Sequence, residues 1–273
     1  MPANETILWG GRGSGDALPK ARLRDGIVLR EAGPWTPGLL ALLRHLEGAG
    51  FDAAPRVLSD GLSEDGRETL SFVEAESPHP RAWDESSVAR IGQILADLHE
   101  ATTSFRVPPD VEWHSSFLRA LPGDDIVIGH GDTGPWNWIA REGTPVALVD
   151  WEFAGPVDRM WELAQATWLN AQLHDDDIAQ RQGLPPLEVR ARQARAILDG
   201  YGLDMQRRAG FVYRMIEVAV QSARAEALAH KVEPESTRAV SDSGFPILWG
   251  ITWRARSAAW MLSHRRELES TIE

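Results

Sequence analysis

The sequence lacks cysteine altogether and contains almost no lysine. Without cysteine the chain cannot form disulfides or thiolate metal sites, which fits a reducing compartment. Lys20 and Lys231 are the lysines, so nearly every strong base is an arginine. No run approaches the roughly 18 apolar residues that a membrane-spanning helix needs, and the first residues show no signal-peptide pattern. We therefore expect a cytoplasmic protein with no membrane partner.

A basic surface is also missing. The chain has 40 acidic and 28 strongly basic residues, which gives a formal net charge of -12. This balance argues against a general nucleic-acid binder, which would show a basic footprint. An acidic surface can attract a cationic small molecule, although in most acidic proteins it serves solubility alone. With 273 residues, 43% of them apolar, the chain can bury a large core as one domain or as two lobes.

The N-terminal part of the sequence predicts strands around one helix. The strand-like runs are ETILWGG, GIVLRE, APRVLSD and RETLSFVEA, with the turn-forming GLSEDG between the last two. The segment TPGLLALLRHLEGAG has apolar residues at helical spacing. Thr36 before Pro37 is its start signal, and Gly48 or Gly50 is its stop signal.

From about Pro78 onwards the pattern becomes helical. DESSVARIGQILADLHEATTSF predicts an amphipathic helix capped by Asp84. Four later helices are predicted in RMWELAQATWLNAQL, EVRARQARAILDGYG, RAGFVYRMIEVAVQSARAEALAHK and ILWGITWRARSAAWMLSHRRELES. The change near SFVEAESPHP predicts a hinge between an N-terminal lobe at 1–76 and a C-terminal lobe at 77–273.

Polar side chains gather around two short apolar runs in IGHGDTGPWNWIAREGTPVALVDWEFAG. The first run ends in His-Gly-Asp, where Gly131 lets the chain turn sharply and places Asp132 in a loop. Asn137 follows a Gly-Pro turn, and TPVALVD ends in Asp150 after the hairpin turn REGT. We expect these three polar side chains at one end of the hairpin, where their oxygens suit a hard cation such as Mg²⁺.

The order and spacing of these residues match phosphoryl transfer by protein-kinase-like enzymes. In such enzymes an Asp of the catalytic loop orients the substrate hydroxyl, while an Asn and a later Asp hold the magnesium that bridges the phosphates. This logic predicts Asp132 as the catalytic base, Asn137 as a metal ligand and Asp150 as the principal metal ligand.

The motifs HGDTGPWN and LVDWE resemble the aminoglycoside phosphotransferase and choline kinase-like family. The ILADLH helix, with His99, and the DRMWELA segment are also typical of that family, although Glu162 stands where the family usually has Asp. The resemblance covers at least residues 88–168. It implies an α+β, bilobal, protein kinase-like fold with a small strand-rich N-terminal lobe and a larger, mainly helical C-terminal lobe.

The same resemblance implies the activity. It points to Mg²⁺-dependent transfer of the γ-phosphate of ATP or GTP to a hydroxyl of a small molecule. An antibiotic such as an aminoglycoside, or a related cationic amino sugar, is one acceptor class that the family implies, and a metabolic alcohol is another.

Residues next to the motifs are assigned supporting roles. His130 is expected to hydrogen-bond the loop backbone rather than to act as an acid or base. Glu152 either assists the metal or forms a local salt bridge. Glu162 is expected to support the loop, and Asp158 to cap the following helix.

The N-terminal lobe is expected to bind the nucleotide. Gly11 and Gly13 of WGGRGSGD offer backbone amides to phosphate oxygens. The run LSFVEAE resembles the hinge strand, in which the backbone from Phe72 through Val73 to Glu74 would hydrogen-bond the base. A plain edge strand is the alternative interpretation of that run.

Arg30 departs from the family pattern. It lies on the GIVLRE strand in place of the phosphate-pairing lysine, and its guanidinium is planar and bulkier than an ammonium group. The usual partner is a glutamate inside the following helix, where this sequence offers Glu47 near the helix end. The neighbouring His45 could serve instead, or Arg30 could act alone.

The acceptor site is the least defined by sequence. Carboxylates that could meet a cationic acceptor are Asp175, Asp176, Asp177, Glu217 and Glu226. A charge run is usually a solvated surface. The tryptophans of the last predicted helix, Trp249, Trp253 and Trp260, either line the acceptor pocket or pack in the core.

Two other functions compete with the kinase interpretation. A catalytically impaired nucleotide-binding regulatory module would explain Arg30 and the poorly placed glutamate. Against it, the set of Asp132, Asn137 and Asp150 is complete. A metal-dependent hydrolase is disfavoured because it would usually employ histidine ligands.

Overall fold

The computed structural model describes residues 5–8, 21–241 and 244–273. An antiparallel sheet with the order β1-β2-β3-β5-β4 forms its N-terminal part. Its strands are β1 (Thr6–Leu8), β2 (Ala21–Arg24), β3 (Ile27–Arg30), β4 (Val57–Leu62) and β5 (Glu68–Ser71). Gly11 and Gly13, the predicted phosphate-binding glycines, lie outside the described residues.

Strand β2 was not predicted from the sequence. It pairs with β3 through a tight turn in which Asp25 and Gly26 have φ values of 50° and 78°. Positive φ at both positions gives a turn whose twist matches that of paired strands, and Asp-Gly is a dipeptide that favours it. The Asp-Gly pair between two runs was therefore the available signal for this hairpin.

Helix α1 (Thr36–Gly48) begins and ends where its sequence predicts. Pro37 occupies the first turn, where its missing N–H removes no intrahelical bond. Its apolar face is buried and consists of Leu39, Leu40, Leu42, Leu43 and Leu46. Each buried leucine contributes about 1.5–3 kcal/mol relative to an exposed one, so this face attaches the helix firmly to the core.

The rest of the described chain is mainly helical. Its helices are α2 (Glu85–Thr102), α3 (Arg159–Asn170), α4 (Asp176–Gln182), α5 (Leu187–Tyr201), α6 (Phe211–Ala229), α7 (Ile247–Ser263) and α8 (Arg265–Ile272). Two details differ from the prediction. The last predicted helix is two helices that meet at His264, and the charge run HDDDIAQ contains the start of α4.

Helix α2 forms the centre of the helical part. The apolar face predicted for it is fully buried: Val88, Ile91, Ile94, Leu95 and Leu98. Asp84 occupies the position before its first turn, but its side chain makes no capping hydrogen bond. At α3, by contrast, Asp158 Oδ1 accepts a hydrogen bond from Met160 N at 2.9 Å, as predicted for a cap.

Two small antiparallel sheets are formed by the segments that lie between α2 and α3 in the sequence. Strand β6 (Ile126–Gly129) pairs with β9 (Gly155–Asp158). Strand β7 (Trp138–Arg141) pairs with β8 (Thr144–Leu148) across a turn with positive φ at both central residues, which confirms the predicted hairpin. The motif residues therefore follow the ends of β6 and β8.

A short connection links the sheet to the helical part. Strand β5 ends at Ser71 and α2 begins at Glu85. Between them, Glu76 exchanges two backbone hydrogen bonds with Ala140 of β7, at 3.0 and 2.8 Å. The lobe boundary after residue 76 stays a prediction. In the described ranges, no helix is both long enough and apolar enough to cross a membrane.

Candidate active site

Two glycines shape the loop after β6. A Cβ added at Gly129 would lie 2.1 Å from Glu162 Oε2, and one added at Gly131 would lie 2.1 Å from the carbonyl oxygen of Phe153. Gly131 also has a φ of 80°, which glycine adopts at no steric cost. The chain can therefore turn tightly against both neighbours and place Asp132 just beyond the strand end.

The carboxylate of Asp132 is buried and oriented by its own loop. Trp136 Nε1 donates a hydrogen bond to its Oδ2 at 3.2 Å, and Asn137 Nδ2 donates to the backbone oxygen of Asp132 at 2.8 Å. Because the amide nitrogen of Asn137 faces this carbonyl, its Oδ1 points in another direction. That oxygen is available as a ligand atom for a cation.

Val149 connects the loop that carries Asp132 with the second motif. Its N–H donates to the backbone oxygen of Asn137 at 2.9 Å, and its carbonyl accepts a hydrogen bond from His130 Nε2 at 2.9 Å. Asp150 follows directly, in the left-handed conformation with a φ of 64°. The structure thus brings together the loop that carries Asp132 and Asn137 and the strand end that carries Asp150.

His130 lies entirely within this framework. Its Nε2 carries the proton donated to Val149, and its Nδ1 accepts from Asp132 N at 3.3 Å. Its ring meets Trp151 edge-on, with 4.7 Å between centroids. Burial lowers the pKa of His130, which favours the neutral ring. Both ring nitrogens bond backbone groups, which is the geometry of the structural role predicted for it.

Glu162 supports the loop from helix α3. Its Oε1 accepts from Gly131 N at 2.5 Å, and its Oε2 accepts from His99 Nε2 at 2.7 Å. Burial alone would raise the pKa of this carboxyl, but the His99 hydrogen bond and charge and the Gly131 amide outweigh burial, and the pKa lies below its ordinary value. Tyr201 is the last member of this series of hydrogen bonds, since its hydroxyl bonds His99 Nδ1 at 2.8 Å. Burial raises the pKa of Tyr201 to about 12.

Arg30 contacts the second motif directly. Its Nη2 lies 2.7 Å from Asp150 Oδ1 and 3.3 Å from Glu152 Oε2. Arg30 and Glu152 are both buried, whereas the Asp150 side chain is 32% exposed. Glu152 therefore takes part in a buried ion pair, and one guanidinium nitrogen bridges the two carboxylates.

The helix partners considered for Arg30 were wrong. Glu47 lies 3.9 Å from Arg56 on the outside of the molecule. His45 Nε2 hydrogen-bonds the carbonyl of Ala101 at 2.9 Å. Neither side chain reaches Arg30, because both are near the C-terminal end of α1 whereas its N-terminal end lies beside β5.

Glu68 is the buried carboxylate that the sequence did not reveal. It lies on β5 directly opposite Arg30 of β3 and is fully buried. Thr36 Oγ1 donates to its Oε1 at 2.6 Å. Burial raises the pKa of Glu68 against the lowering effects of the Thr36 hydrogen bond and the Arg30 charge, while the nearby carboxylates of Glu152 and Asp150 raise it further. A charged residue inside a buried strand was the available signal.

Two further supporting residues were also missed. Arg119 Nη2 donates to the backbone oxygens of Phe153 and Ala154, at 2.8 and 2.7 Å, and burial lowers the pKa of Arg119 to about 10. Gln165 Oε1 accepts from Thr133 N at 3.1 Å. These contacts fix the segments that follow Glu152 and Asp132, and neither motif spacing nor periodicity could predict them.

The oxygen donors fit a hard cation that a nucleotide helps to hold. Asp150 and Glu152 supply carboxylates and Asn137 an amide oxygen. Within the described ranges, no three His, Cys, Asp or Glu side chains cluster closely enough to hold a metal ion. Mg²⁺ is usually bound by one or two carboxylates together with phosphate oxygens and water, so this donor set suits it. A cation here would compete with Arg30 for both carboxylates.

Part of the predicted hinge backbone already forms hydrogen bonds within the protein. Phe72 N donates to Gly26 O at 3.3 Å, and Glu74 O accepts from Arg141 at 3.4 Å. The backbone of Val73 makes no hydrogen bond to any described residue. Of the three predicted hinge residues, Val73 thus keeps both backbone groups available for a base edge.

A cavity of about 760 Å³ opens beside Asp132. The residues that line it include Asp132, Trp136, Phe153, Gln165, Trp168, Glu217, Glu226 and Trp253. The acidic run does not line this cavity. Its Asp175 and Asp177 form ion pairs with Arg256. Trp260 packs against Arg190. Trp249 is 47% exposed at the surface. Of the candidates named for the acceptor site, Glu217, Glu226 and Trp253 are in place to line it.

The sequence matches one family model over part of its length and one curated protein over most of it. Residues 106–211 match the model described as the phosphotransferase enzyme family. The chain is also 51% identical over 249 residues to the trifolitoxin immunity protein of Rhizobium leguminosarum bv. trifolii, with 91% of this chain and 93% of that protein covered.

The fold is similar to those of solved small-molecule kinases. A microcompartment-associated aminopropanol kinase superposes with a TM-score of 0.62 at 13% identity, covering 100% of this chain and 95% of that one. An amicoumacin kinase in complex with AMP-PNP, Ca²⁺ and Ami superposes with a TM-score of 0.58 at 13% identity, covering 99% and 89%. These likenesses confirm the predicted bilobal, protein kinase-like fold.

Proposed function

The chain belongs to the phosphotransferase enzyme family, and from that membership we propose that it moves the γ-phosphoryl group of ATP or GTP to a hydroxyl of a small molecule. One observation carries the proposal beyond family. Asp132 lines a cavity of about 760 Å³, and hydrogen bonds tie its loop to Asn137 and to the strand end that carries Asp150. A base, an acceptor space and a metal donor set are thus adjacent.

Asp132 has the position required of the residue that orients the acceptor. A hydroxyl bound in the cavity would donate a hydrogen bond to the carboxylate and pass its proton there as the phosphoryl group is transferred. Trp136 holds Oδ2 of Asp132, which limits rotation of the carboxylate. Most of the rate enhancement then comes from positioning and electrostatics.

The donor nucleotide is proposed to lie between the sheet and the hairpin end. Asn137 and Asp150, with Glu152, would hold Mg²⁺, which when bound neutralises charge on the phosphates. Arg30 supplies a buried guanidinium that can fork onto phosphate oxygens. Val73 offers its backbone to the base. The related fold that holds AMP-PNP supports a nucleoside triphosphate as donor.

A role in self-protection is the second element of the proposal. It is supported by the 51% identity to a trifolitoxin immunity protein over most of both chains. Such a role would be met if the accepted hydroxyl belongs to an antibiotic whose action the phosphate blocks. Glu217 lines the cavity and forms no ion pair with another described residue, which favours an acceptor that carries a cationic group.

Calorimetry with Mg²⁺ and either ATP or GTP tests the nucleotide part. We expect binding that requires the metal and weakens at least tenfold in Asp150→Asn. Asp132→Ala should bind nucleotide within about threefold of wild type, because Asp132 faces the acceptor. Failure of the wild-type protein to bind either nucleotide would overturn the proposal.

Turnover separates the kinase from a catalytically impaired regulatory module. Candidate hydroxyl acceptors, including antibiotics, amino sugars and amino alcohols, are incubated with the protein and the nucleotide that it binds, and phosphorylated product is measured by mass spectrometry. A kinase forms product that disappears in Asp132→Ala. An Asp132→Ala variant that keeps turnover within tenfold of wild type would remove Asp132 from its role, and binding without product for every acceptor would favour the regulatory module.

A further inference from the structure

One guanidinium and three carboxylates meet between the sheet and the hairpin end. Arg30 makes ion pairs with Asp150 and Glu152. Glu68 faces Arg30 across the β3–β5 ladder, but in the described part of the chain these two side chains form no ion pair. The group therefore contains three acids for one base, and Glu68 is the acid with which Arg30 forms no ion pair among the described residues.

Only one of the two carboxylate oxygens of Glu68 has a hydrogen-bond partner among the described residues. Its Oε1 accepts the Thr36 hydroxyl hydrogen at 2.6 Å, and Thr36 is itself fixed because its oxygen accepts from Gly33 N at 2.9 Å. Oε2 is buried and has no hydrogen-bond partner among the described residues. A buried polar atom left without a partner is unfavourable, because it has lost its hydrogen bonds to water. Such an orphan points to a partner in another state of the site.

We propose that Glu68 is the positioning residue for Arg30 in the nucleotide-loaded enzyme, where the guanidinium leaves Asp150 and pairs with Glu68 Oε2. The inference rests on the proposed function. If Asp150 and Glu152 engage Mg²⁺, Arg30 loses both of its present side-chain partners and keeps only the phosphate oxygens that it is proposed to meet. A buried guanidinium needs carboxylate support on its protein side as well, and Glu68 is the carboxylate directly across the ladder.

The reach of the side chains allows this exchange. Directly opposed residues of an antiparallel pair have Cβ atoms about 4.5–5.5 Å apart, and Arg30 and Glu68 are such a pair at the end of the ladder. An arginine side chain is long enough to point either along the sheet to Glu68 or outward to Asp150. A rotation of Arg30 would suffice, with both strands unmoved.

The start of helix α1 explains why a strand supplies this carboxylate. The helix presents Thr36 to the site, and its hydroxyl already holds Glu68 Oε1. The helix carboxylate Glu47 lies near the other end and faces Arg56. In this chain, therefore, the helix fixes Glu68 and Glu68 in turn is placed to fix Arg30.

A double-mutant cycle on nucleotide affinity tests the exchange. The dissociation constant for ATP with Mg²⁺ is measured by calorimetry for wild type, Glu68→Gln, Arg30→Met and the double variant. We expect Glu68→Gln to weaken binding at least tenfold in the wild-type background and less than twofold in the Arg30→Met background. Glu47→Gln, which changes a carboxylate that Arg30 does not meet, should leave the dissociation constant unchanged.

The melting temperatures of the ligand-free proteins distinguish positioning from stability. Glu68→Gln should keep or raise the wild-type melting temperature, because the neutral amide removes an excess buried charge. Arg30→Gln, which also removes the charge, replaces Arg30→Met if the latter does not fold. Equal weakening by Glu68→Gln in both backgrounds, or a change below twofold in wild type, would overturn the inference. Absence of nucleotide binding by wild type would overturn the proposed function itself.

Discussion

The indole Nε1 of Trp136 donates a hydrogen bond to Oδ2 of Asp132 at 3.2 Å. Both residues line the same cavity, and the ring of Trp136 also meets His79 edge-on, with 5.9 Å between centroids. The tryptophan thus links the wall of the proposed acceptor space to the carboxylate proposed as base, and its hydrogen bond limits rotation of that carboxylate.

We expect Trp136→Phe to lower kcat about tenfold or more while the dissociation constant for nucleotide stays within twofold. A hydrogen bond to a charged group contributes about 1.5–3 kcal/mol, and each 1.4 kcal/mol is a factor of about ten in rate. Steady-state kinetics with the identified acceptor measure the effect. Trp249→Phe, at a surface position, is the control, and an unchanged kcat in Trp136→Phe would contradict the role.

Glu162→Gln is expected to lower both stability and turnover. The amide cannot accept from Gly131 and from His99 with the strength of a carboxylate, so we expect a loss of about 1–3 kcal/mol in the free energy of unfolding. Urea unfolding measures it. Glu85→Gln removes an exposed ion pair with Arg192 and should change stability by less than about 1 kcal/mol. Equal effects of the two substitutions would show that burial of Glu162 does not matter.

Alanine substitutions at two glycines with similar φ values distinguish the conformational cost of a positive φ from the cost of a steric clash. Gly131 has a φ of 80° and Gly143 a φ of 74°. An added Cβ meets the Phe153 carbonyl oxygen at Gly131 but nothing within 4 Å at Gly143. We expect Gly143→Ala to lose about 1–2 kcal/mol of unfolding free energy, and Gly131→Ala to lose about 1–3 kcal/mol more together with turnover. Similar losses in urea unfolding would show that the loop relaxes around the new methyl group.

Acid should destabilise the fold partly through His174. Burial, with the charges of Arg190 and His79, lowers the pKa of His174 to about 3. Because the unfolded chain takes up this proton near pH 6.5, the stabilising contribution is complete above that pH and falls by about 1.4 kcal/mol per pH unit as pH decreases towards 3. Between pH 7 and 5 the loss is about 2 kcal/mol.

The matched variant is His174→Asn, which has no proton to gain. Urea unfolding gives the free energy of unfolding at pH 7 and at pH 5. The decrease between these two pH values should be about 2 kcal/mol smaller in the variant than in wild type. The comparison uses each protein's own change with pH, so a general loss of packing in the variant cancels. An identical pH dependence in both proteins would exclude His174 as a source of acid sensitivity.

Local patterns predicted most elements of the fold. The buried face of α2, the limits of α1 and the turn between β7 and β8 follow from periodicity, a Thr-Pro start signal and an Arg-Glu-Gly-Thr turn, which act over a few residues. Strand β2 and the break at His264 were missed. The first is a four-residue strand whose turn signal was overlooked, and the second interrupts a continuous helical pattern.

The sequence by itself determined the residues proposed to carry the chemistry: Asp132, Asn137 and Asp150 lie in one segment of 19 positions. Their short separation lets two turns and a hairpin bring them together. Tertiary structure alone decided the partners of Arg30, which meets Asp150 from 120 positions away, and the burial of Glu68 beside it. Such contacts depend on which faces of the sheet, helices and hairpin pack together, and that packing is settled by the burial of apolar surface across the whole chain rather than by any local pattern.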